Sequence, residues 1–289
     1  MLLAEEIDKL GNKISIYHSK LSFSPAYSFF LRQQADLIDA NHIFSCTFWE
    51  DENSEIVWAE LNGIIIGTTC FTTKQVDHPV FPLIYTHSTA VDKQYRRQGI
   101  HGILFKYFQH VAEKYKCKAV SISAEVNNIP RLTAAKKDGL NILNSIFRRN
   151  INLENLINDD ITIELDPTGK PAFEYFKKEK EKLKRYLVEL GHSEAVAYSM
   201  TMFDESNLGI MYTKDGDVIS FDKKEIKKGN LYLYMTSSYR YLDTLANYFK
   251  CERISMKISI KDISGAEQLK DHNFDHKFFV LYKLINKKE

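Results

Sequence analysis

Two thirteen-residue stretches, "FKYFQHVAEKYKC" at Phe105–Cys117 and "YRYLDTLANYFKC" at Tyr239–Cys251, share one aromatic and apolar pattern at a spacing of 134 residues. A repeat constrains a fold more than any local propensity, because both copies have to bury the same face in the same way. The correspondence runs on without a gap. "VSISAEVNNI" faces "ISMKISIKDI", and Gly139-Leu140 faces Asn273-Phe274. Upstream, "PAYSFF" (Pro25–Phe30) answers "PAFEYF" (Pro171–Phe176), and the turn Asn62-Gly63 answers Asp215-Gly216. The 289-residue chain is therefore read as a tandem duplication, with a first domain at 1–152, a second at 160–289 and a junction in the polar "NLENLINDD".

Periodicity gives each copy an α/β order. Lys13–Tyr17 alternates as a strand, and Ser24-Pro25 opens a helical stretch with proline suited to a first turn. "EIVWAELNGIIIGTTCFTT" is a hairpin turning at Asn62-Gly63, since Asn-Gly adopts the positive φ angles of a tight turn. "PLIYTHSTAV" is a strand. Ile100–Lys116 is a helix with Ile103, Leu104, Tyr107, Phe108, Val111 and Tyr115 on one stripe. "AVSISAEV" is a strand, Pro130–Asp138 a short helix ended by Gly139, and "LNSIFRRNI" a last strand. The expected class is α/β of mixed-sheet type, two tandem domains each built on a central, largely antiparallel sheet flanked by helices.

The copies differ in one place. "PLIYTHSTAV" corresponds to "NLYLYMTSS" at a spacing of 147, while the helices that follow pair at 134. The thirteen residues absent from the second copy are in essence "DKQYRRQGIHGIL". A strand feeding a glycine turn and then a helix start presents unpartnered backbone N–H groups. The helix dipole adds partial positive charge there, which suits a phosphate. Gly99 permits close approach, Arg96 and Arg97 offer charge-assisted bonds, and Gln98 is another donor. A solvated basic turn has the same composition. Neither GxxxxGK[ST] nor GxGxxG is present.

"VDKQYRRQGIHG" resembles the pyrophosphate-binding motif of the GNAT superfamily of acyl-CoA-dependent N-acyltransferases, Q/R-x-x-G-x-G/A after a strand ending in Ala-Val. Arg96 fills the first position and Gly99 the second; His101 stands where the family has Gly or Ala, with Gly102 one place later. The resemblance spans nearly all of residues 13–151 and includes a closing motif, here Asn128, Lys137, Gly139 and Leu140. It implies that Ala90, Val91, Arg96, Arg97, Gln98, Gly99, Ile100, His101, Gly102 and Asn128 form the acyl-CoA site, acetyl-CoA being the expected co-substrate. It also implies that Ser88–Val91 lends backbone groups to the pantetheine arm, and that this strand and the next splay apart to admit the thioester. Asn128 stands beside the cofactor on this reading, or simply caps the short helix that follows.

Acylating an amine requires a neutral nitrogen. An amine of pKa about 10.4 costs roughly 4 to 5 kcal/mol to deprotonate at pH 7, so a nearby base helps. The resemblance puts that base at His87, four residues before Val91, where the family often has Glu. An imidazole with an ordinary pKa near 6.5 can serve, and so can a half-buried strand histidine with no chemical part. Glu125 on the neighbouring strand and Glu60 in the hairpin are the weaker candidates. The family's usual Tyr acid falls at Ala135, so protonation of the departing thiolate is left to another group or to water. Ala135 and His101 also admit an acyl-CoA-binding pseudoenzyme, a sensor or scaffold. A third reading is transfer from a longer acyl-CoA or an acyl carrier protein.

Bulk properties narrow the partners. A formal charge of +1 gives no global attraction to nucleic acid or anionic membrane. The start "MLLAEEIDKL" carries acids where an export signal wants cations, and no run approaches the roughly 18 apolar residues of a membrane span. Cys46, Cys70, Cys117 and Cys251 form no CxxC pair, which argues against a zinc site and for reduced thiols in the cytoplasm. The expected acceptor is a small-molecule primary amine, with no metal, nucleic acid or membrane involved; oligomeric state is not encoded.

Overall fold

The computed structural model describes residues 1–38, 53–73, 81–151, 161–201 and 205–285, so the polar junction at 152–160 and Cys46 lie outside the described residues. The chain divides into two compact units, Met1–Asn141 with Leu281–Glu289, and Ile142–Val280. The sequence repeat sets its boundary at 152–160, whereas each compact unit takes in an end segment of the other copy.

In the first unit the elements are β1 (Leu2–Ile7), β2 (Lys13–Lys20), α1 (Tyr27–Ile38), β3 (Ser54–Leu61), β4 (Ile64–Thr72), β5 (Leu83–Val91), α2 (Ile100–Lys114), β6 (Ala119–Glu125) and α3 (Ile129–Lys137). The strands lie in the order β1-β2-β3-β4-β5-β6, with Leu281–Leu284 beside β6. Neighbours from β1 to β5 are antiparallel, and β5 and β6 are parallel, so the sheet is mixed. The β3–β4 turn is made by Asn62 and Gly63 at φ +53° and +77°, the pair of left-handed residues that a two-residue hairpin demands.

Strand alternation splits the core between two faces. Ile56, Trp58 and Cys70 pack with Leu21, Ala26 and Phe30 beneath α1. On the other face the Phe71 ring meets Phe108 of α2, centroids 5.2 Å apart. The apolar stripe of α2 buries Ile100, Leu104, Phe105, Phe108 and Val111.

Two carboxylates hold α2, one at its middle and one at its C-terminal end. Glu6 of β1, a strand the sequence reading passed over, accepts from Lys106 Nζ at 2.5 Å and from Tyr107 Oη at 2.6 Å. Buried Glu55 of β3 accepts from Tyr115 Oη at 2.7 Å and Lys20 Nζ at 2.9 Å, and bonds His18 Nε2 at 2.8 Å. Burial pushes the Glu55 carboxyl up, but these three bonds outweigh it and hold it below its ordinary value. The helix then ends on Lys116 at φ +56°, with Cys117 N–H donating to Ala112 O.

The second unit contains β7 (Asn141–Asn150) from Ile142 on, β8 (Ile161–Glu164), α4 (Pro171–Glu189), α5 (Glu194–Met200), β9 (Leu208–Thr213), β10 (Val218–Asp222), α6 (Lys223–Ile226), β11 (Asn230–Thr236), α7 (Leu242–Tyr248), β12 (Arg253–Ser259), α8 (Ile263–Asp271) and β13 (Asp275–Leu284) as far as Val280. From β7 outward the order is β7-β12-β11-β10-β9-β8, with β11 and β12 parallel. Both spacings read from the sequence hold residue for residue. The parallel pair Leu83–Ala119 is matched by Asn230–Arg253, and the left-handed Lys116 and Gly139 by Lys250 and Asn273. The helices that should match do not: α7 has seven residues against fifteen in α2, having lost the front of the helix together with the loop.

Among the described residues no helix is long and apolar enough to cross a membrane. One close approach sets how near α2 lies to β4. A Cβ on Gly67 of β4 would stand 3.0 Å from Leu104 Cδ1 and 3.2 Å from both Ala90 O and Ile100 Cγ2. We expect Gly67→Ala to cost about 1 to 3 kcal/mol by overpacking, read as a lower midpoint in urea; an unchanged midpoint would show that α2 tolerates a shift away from the sheet.

Candidate active site

The parallel ladder between β5 and β6 ends at Thr86–Ile122, although β5 runs on to Val91 and β6 to Glu125. The two strands thus part and open a fork. Just above the last rung, β5 steps out of register with β4: Cys70 faces Ser88 and Phe71 faces Thr86, so the extra residue is His87. A bulge of this kind re-aims a strand locally and bends it. His87 and Glu125 therefore lie on opposite arms of the fork, and Ala90 and Val91 on the arm formed by β5. Tyr85 spans the floor, its Oη 2.5 Å from Ser123 Oγ on β6. Burial pushes the Tyr85 phenol above its ordinary value, so it keeps its proton.

Past Val91 the chain makes one short turn and then reverses twice. Asp92 caps Lys93–Tyr95 by accepting from Gln94 N–H. Arg97 stands at φ +66° and Gly99 at φ +89°. Lys9, in the β1–β2 turn, donates its N–H to Gln98 O at 3.1 Å, and Gln98 Nε2 donates to Gln94 O at 3.1 Å. With Gln98 O engaged in this way, Ile103 is the first helix residue whose N–H finds a carbonyl, that of Gly99. Among the described residues the N–H groups of Ile100, His101 and Gly102 have no acceptor. The Ile100 side chain is core, so only its backbone serves the site. A Cβ on Gly102 would meet nothing within 4 Å. The front of α2 is open, polar and positively polarised.

The side chains of the loop divide. Arg96 is exposed but turned inward, its Nε donating to Val91 O at 3.1 Å; Arg97 is exposed. His101 reaches sideways to α3. Its Nε2 is 2.7 Å from Arg131 Nη1, and its Nδ1 is 3.5 Å from Asp138 Oδ2. Burial, reinforced by the charge of Arg131, pushes this imidazole down to about 4. It is neutral at pH 7, accepting at Nε2 from the guanidinium. Burial likewise pushes Arg131 down to about 10 and the Asp138 carboxyl up.

Asn128 caps α3, its Oδ1 accepting from Arg131 N–H at 3.1 Å, which is the cap geometry the sequence allowed. Glu60 is taken up by Trp58 Nε1 at 2.8 Å. Ala135 is buried. Among the described residues no group of His, Cys, Asp and Glu is arranged to hold a metal.

Sequence reasoning did not single out Arg131, Asp138 or Tyr85. For Arg131 a signal existed: a cation in the first turn of a helix opposes the dipole, and the three residues from Asn128 to Arg131 fix it there.

Residues 19–139 match the acetyltransferase (GNAT) family. A GCN5-related N-acetyltransferase from Sphaerobacter thermophilus superposes with a TM-score of 0.57 at 13% identity, over 94% of this chain and 95% of that one. A tandem GNAT protein from the clavulanic acid biosynthesis pathway gives a TM-score of 0.50 at 8% identity, over 96% of this chain and 100% of its own. At such identities the likeness speaks for the fold. No curated protein matches by sequence.

The buried imidazole gives a pH test. The unfolded chain takes a proton on His101 near pH 6.5, the folded chain only near 4. The unfolded state therefore binds more protons in that window, and stability falls as pH drops through it, by up to about 1.4 kcal/mol per pH unit. We expect His101→Gln to flatten this part of the melting-temperature profile between pH 7 and 4. A constant offset between variant and wild type over that range would mean the ring is not held neutral.

Proposed function

We propose, from the match of residues 19–139 to the acetyltransferase (GNAT) family, that the chain transfers an acetyl group from acetyl-CoA to a primary amine of a small molecule. The observation that carries this reading is the fork between β5 and β6, opening beside three unpartnered amides at the front of α2. On this reading the diphosphate of the co-substrate lies against Ile100, His101 and Gly102, with Arg96 and Arg97 at its edge and Gly99 allowing the approach. The β5 segment from Ser88 to Val91 takes the pantetheine arm, and Asn128 marks the far side.

The chemistry asked of the protein is a proton taken and a proton given. His87 sits at the bulge, where it can take the proton of the acceptor amine directly or through a water, with Glu125 across the fork as its alternative. Ala135 cannot supply the other proton. Tyr85, a protonated phenol on the fork floor, is a group that can. Attack of the neutral amine on the thioester carbon then forms the amide and breaks the carbon–sulfur bond, and sulfur leaves as thiolate or thiol.

The second unit lacks the loop, and its helix α7 is too short to offer a comparable front, so one co-substrate per chain is expected. A net charge of +1 and three buried, unbridged cysteines suit a cytoplasmic enzyme with a small neutral or cationic acceptor rather than a nucleic acid or membrane.

A second reading is favoured by Ala135 together with the His101–Arg131 contact: an acyl-CoA sensor that binds without turnover. Calorimetry with CoA and acetyl-CoA separates these and tests the site. One site per chain is expected, weakened by Arg96→Ala and by Gly99→Val, whose β-branched side chain is strained at positive φ. Two equal sites would overturn the assignment of the second unit. Thiol release over a panel of amines, with products identified by mass spectrometry, then decides between enzyme and sensor. His87→Ala should remove the acidic limb of the pH–rate profile, the fall in rate as the base takes up a proton; an unchanged profile passes the role to Glu125.

A further inference from the structure

Arg131 is an unusual residue to find where it stands. It occupies the first turn of α3, where the partial positive charge of the helix opposes a cation. Arg131 is half-buried, yet among the described residues its guanidinium makes no ion pair. Its hydrogen bond goes instead to the neutral ring of His101. Asp138, the nearest compensating charge, is not within ion-pairing distance of it, and Asp138 Oδ2 is itself buried without a hydrogen-bond partner. A partly desolvated cation with no counter-ion in contact is costly, and an anion bound against it would offset that cost.

The anion's place follows from what His101 is. It is the second residue of α2, so the bond from Arg131 Nη1 to its ring holds the guanidinium about one side-chain length from the unpartnered amides of that first turn. A guanidinium has five N–H donors in a planar fork, of which this contact uses one. We propose that Arg131 is a second-helix ligand for the co-substrate diphosphate, held ready by its hydrogen bond to His101.

The His at position 101, where the resemblance expects Gly or Ala, is then no obstruction. Its ring is drawn toward α3 and away from the open side of Gly102, and as a neutral acceptor it parks the guanidinium without adding a competing charge. On this proposal the bulky residue at 101 and the cation at 131 are parts of one device.

This rests on the acyl-CoA reading for the identity of the ligand, though not for the existence of an anion site, and the test separates the two. CoA, dephospho-CoA (which keeps the diphosphate and lacks the 3′-phosphate) and inorganic pyrophosphate are titrated calorimetrically into the full chain and into Arg131→Met and Arg131→Lys. Arg131→Met should weaken all three by a similar factor, about ten- to a hundredfold. Arg131→Lys should recover part of the loss, since it keeps the charge and not the fork. Affinity unchanged in both variants overturns the proposal. So does a loss for CoA that vanishes with dephospho-CoA, which would assign Arg131 to the 3′-phosphate. If pyrophosphate binds in an Arg131-dependent way while CoA does not, the anion site stands and the acyl-CoA reading falls; if wild type binds none of the three, both fall. Should Arg131→Met fail to fold by thermal melting, Arg131→Lys decides alone, and a loss below threefold counts against the proposal.

Discussion

The backbone at Arg97 and Gly99 is left-handed, and that double reversal is what lets α2 begin with its amides bare. For an arginine the conformation costs about 1 kcal/mol or more, and the surroundings hold it in place. Asp92 caps the turn before it, Gln98 bonds back to Gln94, and the β1–β2 turn seizes the carbonyl of Gln98. That last bond matters most, because Gln98 O is the acceptor that Gly102 N–H would take if the helix extended one residue further back. The N-terminal hairpin thus fixes where the helix starts, and Glu6 on the same hairpin fixes its flank.

The fork itself is not what distinguishes the two units. In the second unit the parallel ladder stops at Leu233–Met256, the counterparts of Thr86 and Ile122 at the two spacings, and β11 steps past Tyr234 where β5 steps past His87. Both copies keep the bulge and the parting of strands. In the second copy, however, the bulge residue is spent on structure: Tyr234 Oη donates to Asp222 Oδ2 at 2.8 Å, the carboxylate that caps α6. The fork is a property of the fold, inherited twice. The proposed ligand site needs the front of a long helix after the fork as well, and among the described residues α2 supplies one where α7, with seven residues, does not.

Much of this was legible in the sequence because turn chemistry is local. Asn62-Gly63, Gly99 and Gly139 are where positive φ is needed, and the two spacings fixed strand pairs to the residue. The β1 strand was missed because acids interrupt "LLAEEI", yet Glu6 is there to hold α2, so the residue that hid the strand is the one that gives it a purpose. The sharing of end strands was not readable in principle. β7 and β13 occupy equivalent places in the repeat, each ten residues long, and pattern specifies a strand's faces but not which of two equivalent edges it joins. Arg131 was overlooked for another reason: its meaning depends on His101, thirty residues away, and on α3 lying next to the start of α2.

That juxtaposition sums to an electrostatic imbalance. The front of α2 carries the partial positive charge of three unbonded amides, and α3 brings its own N-terminus, where Asn128 satisfies Arg131 N–H but adds no charge. A full cation is added between them. The imidazole that could have contributed a further charge is kept neutral by the same burial, and the one carboxylate at hand, Asp138, is itself pushed toward its protonated form by burial. A fold selected for stability alone would have paired Arg131 with Asp138, replaced it with an apolar residue, or moved it to the end of α3, where the dipole favours it. Leaving the charge unpaired makes sense when a ligand of high negative charge density arrives to neutralise two helix ends and a guanidinium at once. A diphosphate is such a ligand, and on the proposed reading the stability given up by the free protein becomes affinity in the complex.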